Sequence, residues 1–171
     1  MNRLYGICLI IIIFGCGDHL PTPEPMTIAG MPNPVQVGNL LIGGQPSRVA
    51  LAQLAETGYK TVLSVRGKSE VSWDEKMVAD SLGMNFFSIE MENLVEEITS
   101  EQVERFAKLM EDGESPMVLH CGSGNRISGL WAVWLVEHRN VPPEEALRIA
   151  SQTGMKEIRA AVQKRLGLGE N

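Results

Sequence analysis

One stretch constrains this chain more than any other: Met117-Val118-Leu119-His120-Cys121-Gly122-Ser123-Gly124-Asn125-Arg126. A short apolar run stops at a thiol, turns through two glycines and closes on a guanidinium. The next ten residues, 127–136, have the length and apolar content of a buried helix. The loop therefore sits at a strand-to-helix junction, where backbone N–H groups and the positive end of the helix converge on one point. Such a loop is an oxyanion cradle with a nucleophile at its floor.

The elements around it alternate. Residues 39–43 form a short apolar run, and Ser47 can cap a helix whose Leu51, Leu54 and Ala55 share a face before Gly58 ends it. Residues 61–65, with β-branched Thr61, Val62 and Val65, read as a strand. Ser72-Trp73-Asp74-Glu75 fits a capping box for a helix carrying Met77, Val78 and Leu82, and 85–89 is the next strand. Thr99-Ser100-Glu101-Gln102 is a second capping box, followed by Val103, Phe106, Ala107 and Met110 at helical spacing. Pro142-Pro143 opens another helix, and 155–166 supplies a last amphipathic one. One helix between successive strands predicts a three-layer α/β domain with a mostly parallel sheet flanked by helices. In that architecture ligands lie beyond the carboxyl ends of the strands, which is where Cys121 falls.

The chain has 171 residues, 44% of them apolar, with nine prolines crowded toward the front. This suits one compact domain, expected over 35–171, behind a non-globular leader. Residues 1–16 read as an export signal, with Arg3 as its charge and Ile7 to Phe14 as an apolar core far shorter than the roughly 20 residues of a spanning helix. Ile13-Phe14-Gly15-Cys16 resembles the lipobox of bacterial lipoproteins, departing from it at bulky Phe14. The resemblance implies lipidation of Cys16 and a membrane-anchored protein facing the periplasm; an ordinary cleaved signal and an uncleaved anchor stay open. Residues 17–34 carry five prolines and are expected to be an extended tether. The whole chain has net charge −6, and without residues 1–16 the balance is 14 basic against 21 acidic residues, −7, with no basic run. That argues against nucleic acid as a partner.

Cys8 lies in the leader and Cys16 at its end, so Cys121 alone remains in the folded part and no disulfide can form there. A thiolate rather than a thiol attacks, and a free cysteine titrates near ~8.5. The groups available to favour the thiolate are the N–H groups from Gly122 to Arg126, the helix dipole, the hydroxyl of Ser123 or Ser128, and the charge of Arg126. Arg126 can grip two oxygens of a tetrahedral anion at once.

His120-Cys121, Gly124 and Arg126 resemble the loop of cysteine-dependent phosphatases of the tyrosine and dual-specificity class. Together with Leu41-Ile42-Gly43-Gly44-Gln45-Pro46-Ser47 and the run from Gly58 to Arg66 with Glu70, they look like the bacterial beta-lactamase hydrolase-like, phosphatase-like family. The resemblance implies in-line attack of Cys121 on phosphorus and a thiophosphate intermediate. Arg126 and the amides of Gly122, Ser123, Gly124 and Asn125 would hold the anion, with neither metal nor cofactor. His120 and Ser128 would support the loop, although His120 can equally be a satisfied histidine at a strand end. Arg66 can help bind the anion or pair with Glu70.

Two departures bear on the reaction. Four residues separate Cys121 from Arg126 where the tyrosine phosphatase loop has five, a spacing also found in rhodanese-type sulfurtransferases, which carry a persulfide. No aspartate stands in the loop where the family's general acid is expected, so Glu92 is the candidate there, against the reading of a solvated acidic loop. Three classes follow: a phosphatase acting on a phosphate ester, a sulfurtransferase, and a non-catalytic anion-binding module. Trp131 and Trp134 read as core, and Trp73 as a residue of the site's mouth.

Overall fold

A computed structural model describes residues 20–91 and 96–169. The leader, Cys16 and Glu92 lie outside the described residues. Six strands form one sheet: β1 (Glu24–Pro25), β2 (Val35–Val37), β3 (Leu40–Gly43), β4 (Thr61–Ser64), β5 (Asn85–Ser88) and β6 (Met117–His120). Their order is β1-β2-β3-β6-β4-β5. The four strands from β3 to β5 run parallel, while β1 and β2 extend the sheet antiparallel beyond β3. The helices are α1 (Arg48–Glu56), α2 (Glu75–Ser81), α3 (Ser100–Asp112), α4 (Asn125–Arg139), α5 (Pro143–Gln152) and α6 (Arg159–Arg165), with a 3-10 turn at Lys68–Glu70.

Period-two alternation along the strands builds the three layers. Leu41, Val62 and Val118 point to one face and pack with Ala50, Leu51, Leu54 and Ala79 of α1 and α2. Ile42, Leu63 and Leu119 point to the other, where Phe106, Leu130, Trp131 and Val162 come from α3, α4 and α6. β6 is buried along its whole length between β3 and β4. In register, Gly43 and Ser64 flank His120, so all three strands end at one level and Cys121 emerges there.

The capping signals act largely as the sequence predicts. Ser47 accepts from Ala50 N–H at 3.1 Å, and Thr99 and Gln102 close a reciprocal capping box. α2 starts later than expected, because the Asp74 carboxylate accepts from Met77 N–H at 2.9 Å and takes the cap in place of Ser72. α6 is shorter than the 155–166 expectation. Asn125 Oδ1 accepts from Lys156 N–H at 2.7 Å and Ile158 N–H at 3.4 Å, which holds the backbone before α6 in a turn.

The expectation of a free tether over 17–34 needs correction from residue 20 onward. β1 pairs with β2, Met26 N–H donates to Pro34 O at 2.8 Å, Ser47 N–H donates to Gly30 O at 2.7 Å, and Met31 is buried. Proline content alone does not exclude this, because a sheet edge tolerates residues that lack an N–H. Among the described residues no helix is long and apolar enough to cross a membrane.

Candidate active site

Cys121 follows β6 directly, and its N–H donates to Gly43 O at 3.3 Å, so the thiol's starting point is fixed by the adjacent strand. The side chain is buried. The loop then curls back on the sulfur: Gly124 N–H donates to Cys121 Sγ at 3.2 Å. Gly124 does so at φ 101°, a conformation glycine adopts freely, and it is the residue from which α4 starts. The first-turn N–H groups of α4 have no intrahelical partner and add their dipole at the same place. The exposed Gly122 and Ser123 form the rim, where Asn33 Nδ2 donates to Ser123 O at 3.2 Å. A groove of about 510 Å³ leads away from Ser123 past Asn33, Met26, Gln152 and Lys156.

Arg126 lies in the first turn of α4 and is almost wholly buried. Its Nη1 donates to Glu70 Oε1 at 2.7 Å and Met91 O at 2.8 Å, and its Nη2 to Glu70 Oε2 at 2.6 Å. A guanidinium has five N–H groups. The end-on fork is thus held by Glu70, and the Nε edge is the one not engaged by Glu70 or Met91. Bonding to Arg126 is the main reason that Glu70 titrates at about 2, below its ordinary 4.5. Reciprocally, Glu70 first and Cys121 to a lesser degree raise the pKa of Arg126.

Arg66 was open between anion binding and pairing with Glu70, and its contacts are those of the pair. Nη2 donates to Glu70 O, Nε lies 3.5 Å from Glu70 Oε2, and Nη1 donates to Gln45 Oε1 at 2.9 Å. Gln45 Nε2 in turn donates to Glu75 Oε1 at 2.8 Å. The same carboxylate oxygen lies 2.8 Å from Nε2 of His120, which is fully buried behind the thiol with Nδ1 3.4 Å from Cys121 O. Glu75 and Gln45 escaped the sequence reading. Gln45 stood within the Gly-Gln-Pro-Ser segment, but Glu75 had only its place at a helix start, where acidic residues are ordinary.

Ser128 and Asn125 face away from the thiol. Ser128 Oγ donates to Thr153 O at 2.9 Å and accepts from Thr153 Oγ1 at 2.9 Å, both residues being fully buried. The Asn125 side chain is committed to the turn before α6, leaving its backbone N–H as its contribution to the loop. Trp131 and Trp134 are buried in the core, and Trp73 is half-buried with the Arg48 guanidinium 5.3 Å from its ring.

Among solved structures the chain is similar to TpbA of P. aeruginosa, with 17% identity and a TM-score of 0.65 over 87% of this chain and 97% of that one. A TpbA variant has been solved in complex with phosphotyrosine. Tk-PTP in its active form matches with 17% identity and a TM-score of 0.65 over 77% of this chain and 91% of that one. A Neisseria meningitidis z2491 protein matches with 24% identity and a TM-score of 0.61 over 74% and 92%. No curated protein matches the chain. The family profile described as DSP-PTPase phosphatase fused to NAD+ kinase matches residues 33–166. That match takes in β2 to β6, the Cys121 loop and all six helices, and the chain belongs to this family of dual-specificity and tyrosine phosphatase-like domains.

Proposed function

We propose that the protein is a cysteine-dependent phosphatase that hydrolyses a phosphate ester through a thiophosphate intermediate on Cys121. The observation that carries this reading is the convergence on one sulfur of the Gly124 N–H, the start of α4 and a buried Arg126 already oriented by Glu70. Cys121 attacks phosphorus in line; the Cys121–phosphorus bond forms as the bond to the leaving oxygen breaks. The loop amides and the Nε edge of Arg126 receive the equatorial oxygens. A proton for the departing oxygen comes from Glu92, and water then cleaves the thiophosphate to release inorganic phosphate. Family membership supports the reaction class, and the phosphotyrosine bound by TpbA and the PI(5)P bound by PTPMT1 support phosphate esters as the substrate class. The beta-lactamase hydrolase-like subgroup and an exported lipoprotein anchored through Cys16 belong to the same proposal.

The four-residue spacing between Cys121 and Arg126 favours a second reading, a sulfurtransferase that carries a persulfide on Cys121. The full chain in detergent, assayed with an aryl phosphate and, separately, with thiosulfate and cyanide, distinguishes the two. Phosphate release is expected, and Cys121→Ser should abolish it while leaving the melting temperature within a few degrees. Turnover of thiosulfate alone, lost in Cys121→Ser, would overturn the phosphatase reading.

A further inference from the structure

His120 and Arg126 mark the two ends of the Cys121 loop, and each lies against a carboxylate from a different part of the chain. Glu75, the first residue of α2, faces His120; Glu70, in the 3-10 turn, holds Arg126. These two anchors are themselves joined. Glu70 binds Arg66 through its backbone oxygen and carboxylate, Arg66 Nη1 donates to Gln45 Oε1, and Gln45 Nε2 donates to Glu75 Oε1. The contacts close a ring that starts and ends on the catalytic loop.

We propose that Gln45 is a positioning residue for this loop, its side-chain amide joining the Glu75 carboxylate that lies against His120 to the hydrogen bonds that fix Arg126. The inference rests on the active site proposed above, although not on whether that site transfers phosphorus or sulfur.

The chemistry at position 45 is restrictive. Arg66 offers only donors, and the Glu75 Oε1 that faces position 45 accepts, so the residue between them accepts on one side and donates on the other. A neutral amide does both, and its orientation is fixed because the flipped form would turn an NH2 group toward Arg66 and an oxygen toward Glu75. Glutamate would set a second carboxylate against Glu75. The backbone places the amide as tightly. Gly43 is in register with His120, Gly44 N–H donates to Pro32 O at 2.7 Å, and Pro46 confines the residue before it to extended conformations. Gln45 therefore projects from the end of β3 at a fixed point beside β6. Hydrogen bonds in such a half-buried circuit polarise one another, so breaking the middle should be felt at both ends.

The test reads the cradle separately from turnover. In the full chain, the rate of Cys121 alkylation by anionic iodoacetate is divided by the rate with neutral iodoacetamide, each followed by peptide-resolved mass spectrometry. The ratio cancels the ionised fraction of the thiol and reports how well Arg126 and the amides attract an anion. Gln45→Met, of similar length but without hydrogen bonds, should lower the ratio by about threefold or more and kcat for an aryl phosphate by about tenfold. Gln45→Glu should do the same. The exchange Gln45→Glu with Glu75→Gln rebuilds acceptor and donor at both contacts, so it should return the ratio to within about twofold of the original protein. A folded Gln45→Met with unchanged ratio and unchanged kcat overturns the inference, as does an exchange variant no better than Gln45→Glu alone. Should Gln45→Met fail to fold, the comparison of Gln45→Glu with the exchange variant decides. A ratio that falls as expected in a protein that hydrolyses no phosphate ester supports the inference while refuting the phosphatase reading.

Discussion

Glu70 shows how one carboxylate can define a site without touching the reacting atoms. By occupying the end-on fork of Arg126 it fixes the guanidinium plane, and a bidentate pair of this kind adds geometric specificity as well as attraction. It also links stability to acidity. Its folded pKa of about 2 lies below the ordinary 4.5, so its contribution is fully present above pH 4.5 and is lost as pH falls through 2. Thermal melts of the original protein should therefore lose stability between pH 5 and 2. Glu70→Gln should be less stable at pH 7 and have a shallower slope in that window; parallel curves for the two proteins would refute the linkage. Arginine cannot be exchanged for lysine here, since an ammonium cannot hold Glu70 and present a second edge to an anion.

At the scale of elements, the site depends on how closely the end of β3 approaches the Cys121 loop. A Cβ added at Gly44 would lie 2.8 Å from Pro32 Cβ and 2.9 Å from Gly122 O. One neighbour is a rigid ring and the other is the loop's own backbone, so neither moves without distorting the cradle. Gly44→Ala is expected to cost about 1–3 kcal/mol in chemical denaturation and to lower kcat as Gly122 shifts. Unchanged stability would show that the loop can yield at this point. The same packing logic explains the capping outcomes. Ser47 and Thr99 were legible because a cap is a local pattern, whereas the contest between Ser72 and Asp74 was settled by where the helix packs, with Glu75 buried against His120.

Over the whole molecule, the alternation of strands and helices in the sequence was sufficient to indicate the layers, and the strand that feeds Cys121 proved to be central. The N-terminal segment is the larger surprise. Leu20, Ile28 and Met31 pack on the two cores, and the segment's backbone bonds to β2 and to the start of α1. Full burial of a methionine contributes about 1.5–3 kcal/mol, so a chain beginning at residue 32 should melt about 5 °C or more below one beginning at residue 20. Equal melting temperatures would restore the tether reading. Asn33 adds a route by which this segment bears on the rim, through its bond to Ser123 O.

What the sequence alone determined were the features encoded within a few residues of one another: the cysteine at the end of a strand, the glycine turn, the arginine, the caps and the two periodicities that assign strands and helices. These are local because hydrogen bonds and side-chain faces repeat at short spacing. Only the tertiary structure decided which partners these groups take. Glu70 stands 56 residues from Arg126, Gln45 stands 30 from Glu75, and Ser128 stands 25 from Thr153. No local spacing encodes such pairs. They exist because parallel strands end at one level and bring distant turns to the same edge of the sheet, where buried polar groups must find one another or go unsatisfied.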